Sequence, residues 1–258
     1  MRHDTAMSSM QQRLRAAAIH FSLSLLVAAM AAALVFGLWY PYPYREISGG
    51  RELFTLLVTV DVILGPLLTF SIFNRAKPWS ELRRDLAVIA LLQLSGLGYG
   101  MWTVFEARPV HLVFEIDRFR VVHAIDVPPE LLPRAPRDIE ALPVTGPTLL
   151  AVRPFANEKE SSDATMAALN GVNIGARPDL WMAYAPAREA VLKEAKPVTE
   201  LKTRLAARAQ ELDVAIAKTG QPADTLKYLP LHGRKDFWTA LIDGKTAQPL
   251  AYLPLDPY

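Results

Sequence analysis

The sequence predicts an α-helical membrane domain of three transmembrane helices, followed by a C-terminal α+β domain built on an antiparallel sheet. Three observations carry that prediction. Apolar runs at Ile19–Trp39, Leu53–Phe73 and Leu86–Phe105 each reach the roughly 20 residues that a bilayer requires. Lys and Arg collect beside these runs on alternate sides, as the retention of basic residues in the cytoplasm demands. Beyond Phe105 the chain mixes charge, proline and short apolar runs in the manner of a small globular domain. The predicted division is therefore a cytoplasmic tail over residues 1–18, a membrane domain over 19–105 and a periplasmic α+β domain over 106–258.

The first run is open to two readings, because Arg13 and Arg15 precede it as in a secretory signal and AMAAA offers small residues. The run continues through LVFGLWY, beyond the 7–15 residues typical of a signal's apolar core, and this favours an uncleaved anchor. Orientation follows from the basic residues. Arg2, Arg13 and Arg15 precede the first run, and Arg75, Lys77, Arg83 and Arg84 lie between the second and third. The link between the first and second runs holds only Arg45 and Arg51, each beside a glutamate. It also carries Trp39, Tyr40, Tyr42 and Tyr44, which suit an interfacial aromatic belt. The predicted N-terminus is cytoplasmic and the C-terminal domain lies outside, in the periplasm of an inner-membrane protein.

The second run is exceptional because Asp61 sits inside it, with Gly65 and Pro66 one turn later. A carboxylate in hydrocarbon costs about 2.5–3.5 kcal/mol on insertion scales, so it must face other helices or a wet cavity. Helix rise places Asp61 about 12 Å from the outer end. Counting back along the third run brings Tyr99 and Ser95 to similar levels, with Gln93 about one turn deeper. Pro66 has no N–H for the carbonyl of Val62, so a kink and an exposed acceptor are expected beside Asp61. Gly96 and Gly100 form a GxxxG step. Ala28, Ala29, Ala32 and Ala33 supply further small pairs that let backbones approach.

These residues define the candidate membrane site: Asp61, Gly65, Pro66, Gln93, Ser95, Gly96, Tyr99 and Gly100. Two readings of it stay open, a polar knot inside a helix bundle and a contact surface for a foreign transmembrane helix. A proton-linked transport role rests on Asp61 alone, and neither further spans nor internal repeats support it.

In the C-terminal domain, ARPVHLVFEIDRFRVVHAIDV reads as a hairpin around Asp117-Arg118. Proline-rich loops over 128–147 lead to a strand at Thr148–Val152 and a helix at Ser162–Asn170, capped by Ser162 or Asp163 and stopped by Gly171. Helices are predicted at Ala187–Ala195 and over Val198–Lys218, the latter with an i,i+4 pair of Glu200 and Arg204. Strands at Leu226–Leu231, Phe237–Ile242 and Gln248–Leu253 close the chain, the last two joined by DGKTA. The expected sheet has about four or five strands, with helices on one face.

Catalytic chemistry is not expected. The chain has no cysteine, which removes thiol exchange, Cys-based metal sites and haem attachment. No nucleotide-binding glycine loop, nucleophile elbow or zincin motif is present, and a net charge of +2 without a basic patch argues against nucleic-acid binding. His111 and His123 would face one another across a three-residue hairpin turn, with Asp126 nearby, and that would sketch a metal site. Two strand histidines without a fixed third ligand are more commonly polar core residues, so no metal and no cofactor is expected.

The motifs FGLWYPYPY and GGRELF, then LLVTVDVILGPLLTFSIF, DLAVIALLQLSGLGYGMWTVFEARPVHLVFEIDRFRVVHA and LKYLPLHGRKDFWTALIDGKTAQPLAYL, carry a resemblance. The chain resembles the type IV pilin accessory protein family, inner-membrane proteins encoded with pilins in Gram-negative bacteria. The similarity covers Arg13 to Tyr258. It implies a role in helping pilin subunits reach or leave the membrane pool during pilus assembly, with type IV pilin subunits as partners and no catalytic residues to carry over. The competing expectation is a membrane-anchored sensor whose periplasmic domain binds a ligand and signals through a partner protein, since the cytoplasmic parts are too short for an output domain.

Overall fold

The computed structural model describes residues 9–74 and 76–258; Arg2 and Arg75, which count toward the predicted orientation, lie outside the described residues. The described chain forms two compact units. One comprises residues up to Gly37 together with Gly50–Phe105, and the other Leu38–Gly49 together with Glu106–Tyr258.

The first unit holds three helices, α1 (Ser9–Leu34), α3 (Gly50–Ile72) and α4 (Trp79–Glu106). With the wider turn Val35–Trp39 that ends α1, each is long and apolar enough to cross a membrane. Helix α1 begins within the stretch expected to be a tail, because Ser9–Ala18 contains no glycine or proline to stop it. It packs antiparallel on α3. His20 Nδ1 lies 2.5 Å from Thr69 Oγ1 near one end, and the Phe36 and Phe54 rings meet edge-on at 5.0 Å near the other. That register sets Ser24 level with Gly65. Both are buried, as is Ala28 one turn on. Of the alanines expected to mediate contact, Ala28 and Ala32 face inward while Ala29 and Ala33 are exposed.

The second unit begins with the link between α1 and α3. A short helix α2 (Tyr44–Ile47) turns the chain, and Ile47 inserts into the core of the second unit with 3% of its surface exposed. Its carbonyl accepts from the Arg234 amide at 3.4 Å. Tyr44 stacks at 6.1 Å from Tyr252, and Tyr40 is fully buried. This corrects the aromatic belt. Only Tyr42 remains well exposed, because Tyr40 and Tyr44 are spent on the packing of the link.

The rest of this unit is an eight-stranded mixed sheet. Its strands are β1 (Pro109–Glu115), β2 (Arg118–His123), β3 (Thr148–Val152), β4 (Trp181–Ala183), β5 (Lys196–Pro197), β6 (Leu226–His232), β7 (Phe237–Asp243) and β8 (Pro249–Leu253). They lie in the order β4-β3-β1-β2-β6-β7-β8, with β5 also on β6. Most pairings are antiparallel. The pairs β1–β3 and β2–β6 are parallel, the second joined at only two positions, Phe119 with Leu231 and Arg120 with His232. The sheet therefore has more strands than expected and is not purely antiparallel, because the long segment after β2 returns β3 parallel to β1, and the longer stretch from β2 to β6 returns β6 parallel to β2, rather than by hairpins.

Helices cover both faces of the sheet, not one. Helix α6 (Arg188–Glu194) supplies Val191 to the face formed by Leu112, Phe114, Leu229 and Ile242. Helices α7 (Val198–Arg204) and α8 (Ala209–Thr219) cover the opposite face through Leu201, Leu212 and Ile216 against Tyr228 and Leu241. The expected single helix over 198–218 is broken at Leu205 (φ −102°, ψ 42°). The break frees Arg204 from Glu200, and its guanidinium holds the Pro257 carbonyl and the Tyr228 hydroxyl instead. Helix α5 (Glu158–Leu169) starts earlier than predicted because Asn157 is the cap, its side chain accepting from Glu160 N at 2.9 Å. Glu160 is held by Arg153 at 2.7 and 2.9 Å and by the Ala156 amide, which brings its carboxyl down to about 2.

Candidate functional site

In the helical unit the predicted polar residues come together in part. The amide nitrogen of Gln93 donates to the backbone carbonyl of Asp61 at 2.9 Å and to Asp61 Oδ1 at 3.1 Å. Gly65 makes room for this. A Cβ there would collide with the Gln93 amide, so glycine is what lets α4 lay a glutamine across α3. The partner of Asp61 is thus Gln93 rather than the hydroxyls of Tyr99 or Ser95. Tyr99 is 70% exposed and stacks on Trp102 at 5.9 Å, and Ser95 is exposed as well. Helix α3 runs unbroken through Pro66, and the carbonyl that recruits Gln93 belongs to Asp61, one residue before the predicted Val62.

Around this clasp, α3 and α4 enclose an open groove of about 420 Å³. One wall comes from Leu53, Leu56, Leu57, Val60, Leu64 and Leu68 of α3, and the other from Leu92, Leu97, Thr103 and Val104 of α4. Asp61 and Gln93 are its polar patch, and Gly96, Tyr99 and Gly100 also line it. The two glycines differ. Leu57 covers Gly100, whereas nothing lies within 4 Å of the place where a Cβ on Gly96 would stand. Sequence reasoning found the polar residues and missed the leucine walls. Their helical spacing from Leu53 to Leu68 was visible, but a leucine facing a groove and one facing lipid carry the same local signal.

A change at Gly65 tests the clasp. Gly65→Ala is expected to expel the Gln93 amide from Asp61 at a cost of about 1 kcal/mol, the scale of a hydrogen bond between membrane helices. The check is thermal unfolding of the detergent-solubilised chain. An unchanged midpoint would mean that Gln93 re-forms the bond from another rotamer.

The two strand histidines do not meet. Only two residues, Ile116 and Asp117, separate Glu115 from its partner Arg118, so His111 pairs with Val122, and a register shift between Pro109 and His111 then sets His123 opposite Pro109. Among the described residues there is no group of three or more metal-ligating side chains. His111 is fully buried, edge-on to Trp181 at 4.5 Å. Its Nε2–H donates to the Ala141 carbonyl at 3.0 Å, which leaves Nδ1 to accept from the Thr148 hydroxyl at 2.7 Å. His123 Nδ1 contacts Asp126 Oδ2 at 2.9 Å.

Burial pushes the His111 pKa down from 6.5 to about 4, against a smaller opposing effect of the Ala141 carbonyl. His232 is also lowered to about 4, by burial and by the guanidiniums of Arg120 and Arg118. Between pH 6.5 and 4 the unfolded chain binds these protons and the folded chain does not, so stability rises with pH across that window. His111 alone is expected to remove about 2 kcal/mol between pH 7.5 and 5. Urea unfolding followed by tryptophan fluorescence measures this, and a midpoint that does not move between those pH values would contradict it.

An ionic cluster around one buried carboxylate escaped the sequence reading altogether. Glu115 is 4% exposed; its Oε1 accepts from Arg120 Nε at 2.5 Å and its Oε2 from the Gly175 amide at 2.6 Å. Arg120 Nη2 lies 3.4 Å from His232 Nδ1, and His232 Nε2 lies 3.0 Å from Tyr258 Oη. The cluster spans the two-residue junction between β2 and β6 and adds side-chain contacts where the backbone pairing is shortest.

A family model described as fimbrial assembly protein FimB matches residues 8–49, which contain α1 and the whole link that enters the second unit. The chain is similar to the fimbrial assembly protein of serogroup I from Dichelobacter nodosus, 39% identical over 227 residues, 87% of this chain and 88% of that protein. The chain belongs to the fimbrial assembly protein family. A second family member, the serogroup E1 protein of the same organism, is 37% identical over the same shares of both chains. A third, of serogroups C1 and C2, is 46% identical over 117 residues, 45% of this chain and 89% of its own length. No solved structure matches. Family membership agrees with the resemblance carried by the membrane motifs.

Proposed function

We propose that this protein is an inner-membrane accessory factor that assists or modulates type IV pilus assembly by non-covalent contact with pilin subunits. The observation that carries the reading is similarity over 87% of the chain to a protein named for fimbrial assembly, in a chain with three helices fit to cross a membrane. A pilin waits in the membrane as an apolar helix with a globular head outside. The helical unit offers a surface for such a helix and the mixed-sheet unit one for the head. In this reading the N-terminus is cytoplasmic, the second unit is periplasmic, and the protein performs no covalent chemistry.

Deletion of the gene in a piliated strain tests it. Pilin is expected to shift from the surface fibre to the membrane pool at unchanged pilin transcript, and an unchanged partition would refute the reading. A reporter fused after Tyr258 checks the orientation, since activity confined to the cytoplasm would invert it. Asp61→Asn is expected to restore assembly in the deletion strain and Asp61→Leu to fail, because hydrogen bonding rather than charge is what Asp61 offers Gln93.

A further inference from the structure

We propose that the groove between α3 and α4 is the seat of one transmembrane helix of a partner, and that this helix carries a hydrogen-bonding side chain at the depth of Asp61. Shape is the first argument. The α3 wall runs from Leu53 to Leu68, about 22 Å of helix, so the groove suits a rod rather than a compact ligand. Gly96 leaves an uncovered backbone on the other wall, where a second helix can approach closely.

Hydrogen-bond complementarity selects the occupant. Gln93 serves Asp61 Oδ1 and the Asp61 carbonyl, while Oδ2 has no hydrogen bond among the described residues. In a span of this hydropathy an unpaired polar atom facing hydrocarbon is costly. An acyl chain supplies nothing for Oδ2, so lipid satisfies the walls and not the polar patch. A second copy docking through its own α3 would set Asp61 against Asp61, a like pair. A helix with one polar side chain at this level satisfies both walls and patch.

The naming of pilin as that partner rests on the function proposed above; the groove as the docking surface does not. The experiment places a photo-crosslinking residue in the full-length protein, in cells making native pilin, at the groove positions Leu56, Leu64 and Leu92. Controls are Ile63 and Leu94, which are exposed outside the groove, and Leu169 on α5. The expected result is pilin adducts from the groove positions and not from Ile63 or Leu94. Asp61→Leu should then lower the groove adducts about fivefold, equivalent to about 1 kcal/mol, at equal amounts of protein in the membrane.

Pilin adducts from Leu169 with none from the groove overturn the groove and leave the proposed function standing. Adducts from no position overturn both. Groove adducts only to a second copy, or only to lipid, overturn the choice of occupant. Full adduct yield with Asp61→Leu overturns the polar contact. Should that variant fail to accumulate, Leu64→Trp, which fills the groove and leaves Asp61 and Gln93 unaltered, is expected to abolish the Leu92 adduct, and an undiminished adduct overturns the proposal.

Discussion

Replacing Arg120 by leucine is expected to destabilise the mixed-sheet unit by about 3 kcal/mol, the lower end of the cost of breaking a buried ion pair by removing one partner. Glu115 is the reason. It is 4% exposed and bound on one oxygen by Arg120 and on the other by the Gly175 amide, so loss of the guanidinium strands a charge that water cannot reach. The lower end applies because the Arg120 side chain is itself 21% exposed, and that part of its charge is already screened. Leucine also releases His232 from one of its two neighbouring cations at the narrow β2–β6 junction. Urea unfolding of the purified chain gives the number. A loss under about 1 kcal/mol would contradict this account of the pair. The double change Glu115→Gln with Arg120→Leu is expected to recover part of the loss, because a neutral amide can still accept from Gly175.

Ile47→Ala is expected to cost about 2–4 kcal/mol, within the range for removing a buried aliphatic side chain from a core that cannot collapse around the gap. Ile47 comes from the short link between two membrane helices, yet it is 3% exposed among Leu112, Phe119 and Leu231 of the sheet. Its carbonyl bonds Arg234, and Gly233 packs directly beneath it, where a Cβ would stand 2.8 Å from the Ile47 oxygen. The variant should therefore also loosen the link, and trypsin cleavage at Arg45 should accelerate. An unchanged unfolding midpoint together with unchanged cleavage would show that the link contributes nothing to the unit. Gly233→Ala attacks the same seat from the other side and is expected to have a similar direction of effect.

Both results depend on contacts that join residues far apart in the chain, and this marks the limit of what could be read beforehand. The β1–β2 hairpin, the strand Thr148–Val152 and the Asp243 turn were legible because alternation and turn chemistry are local. In that turn Asp243 Oδ1 accepts from the Lys245 and Thr246 amides, both at 2.7 Å, as an aspartate in a tight turn does. The His111–His123 pairing failed by one residue of loop length, and one residue of register is enough to change every partner across a strand pair. The single helix over 198–218 failed because both halves have helical periodicity, and the break at Leu205 serves a tail that arrives some fifty residues later.

In the candidate membrane site, Asp61, Gly65 and Gln93 were named and do meet, but their geometry was not foreseen. Helix rise gives depth along the axis and says nothing about rotation around it. For that reason Tyr99 and Ser95, at the right level, proved to be on the wrong faces. The glycine beside Asp61 suggested only a small-residue contact, and that it is the slot for one glutamine needed both helices in place.

By itself the sequence determined three apolar helices, the anomaly of a carboxyl group among them, the α+β character of the C-terminal domain and the family. Each of these is a property of composition, period or motif within a short window. Only the tertiary structure decided that the link Leu38–Gly49 belongs to the second unit, that Arg120 reaches the buried Glu115, and that α3 and α4 stand open as a groove. The physical reason is common to all three. Burial of Ile47, pairing of a carboxylate and separation of two leucine-faced helices are each settled by which distant surfaces complement one another, and no local pattern encodes that choice.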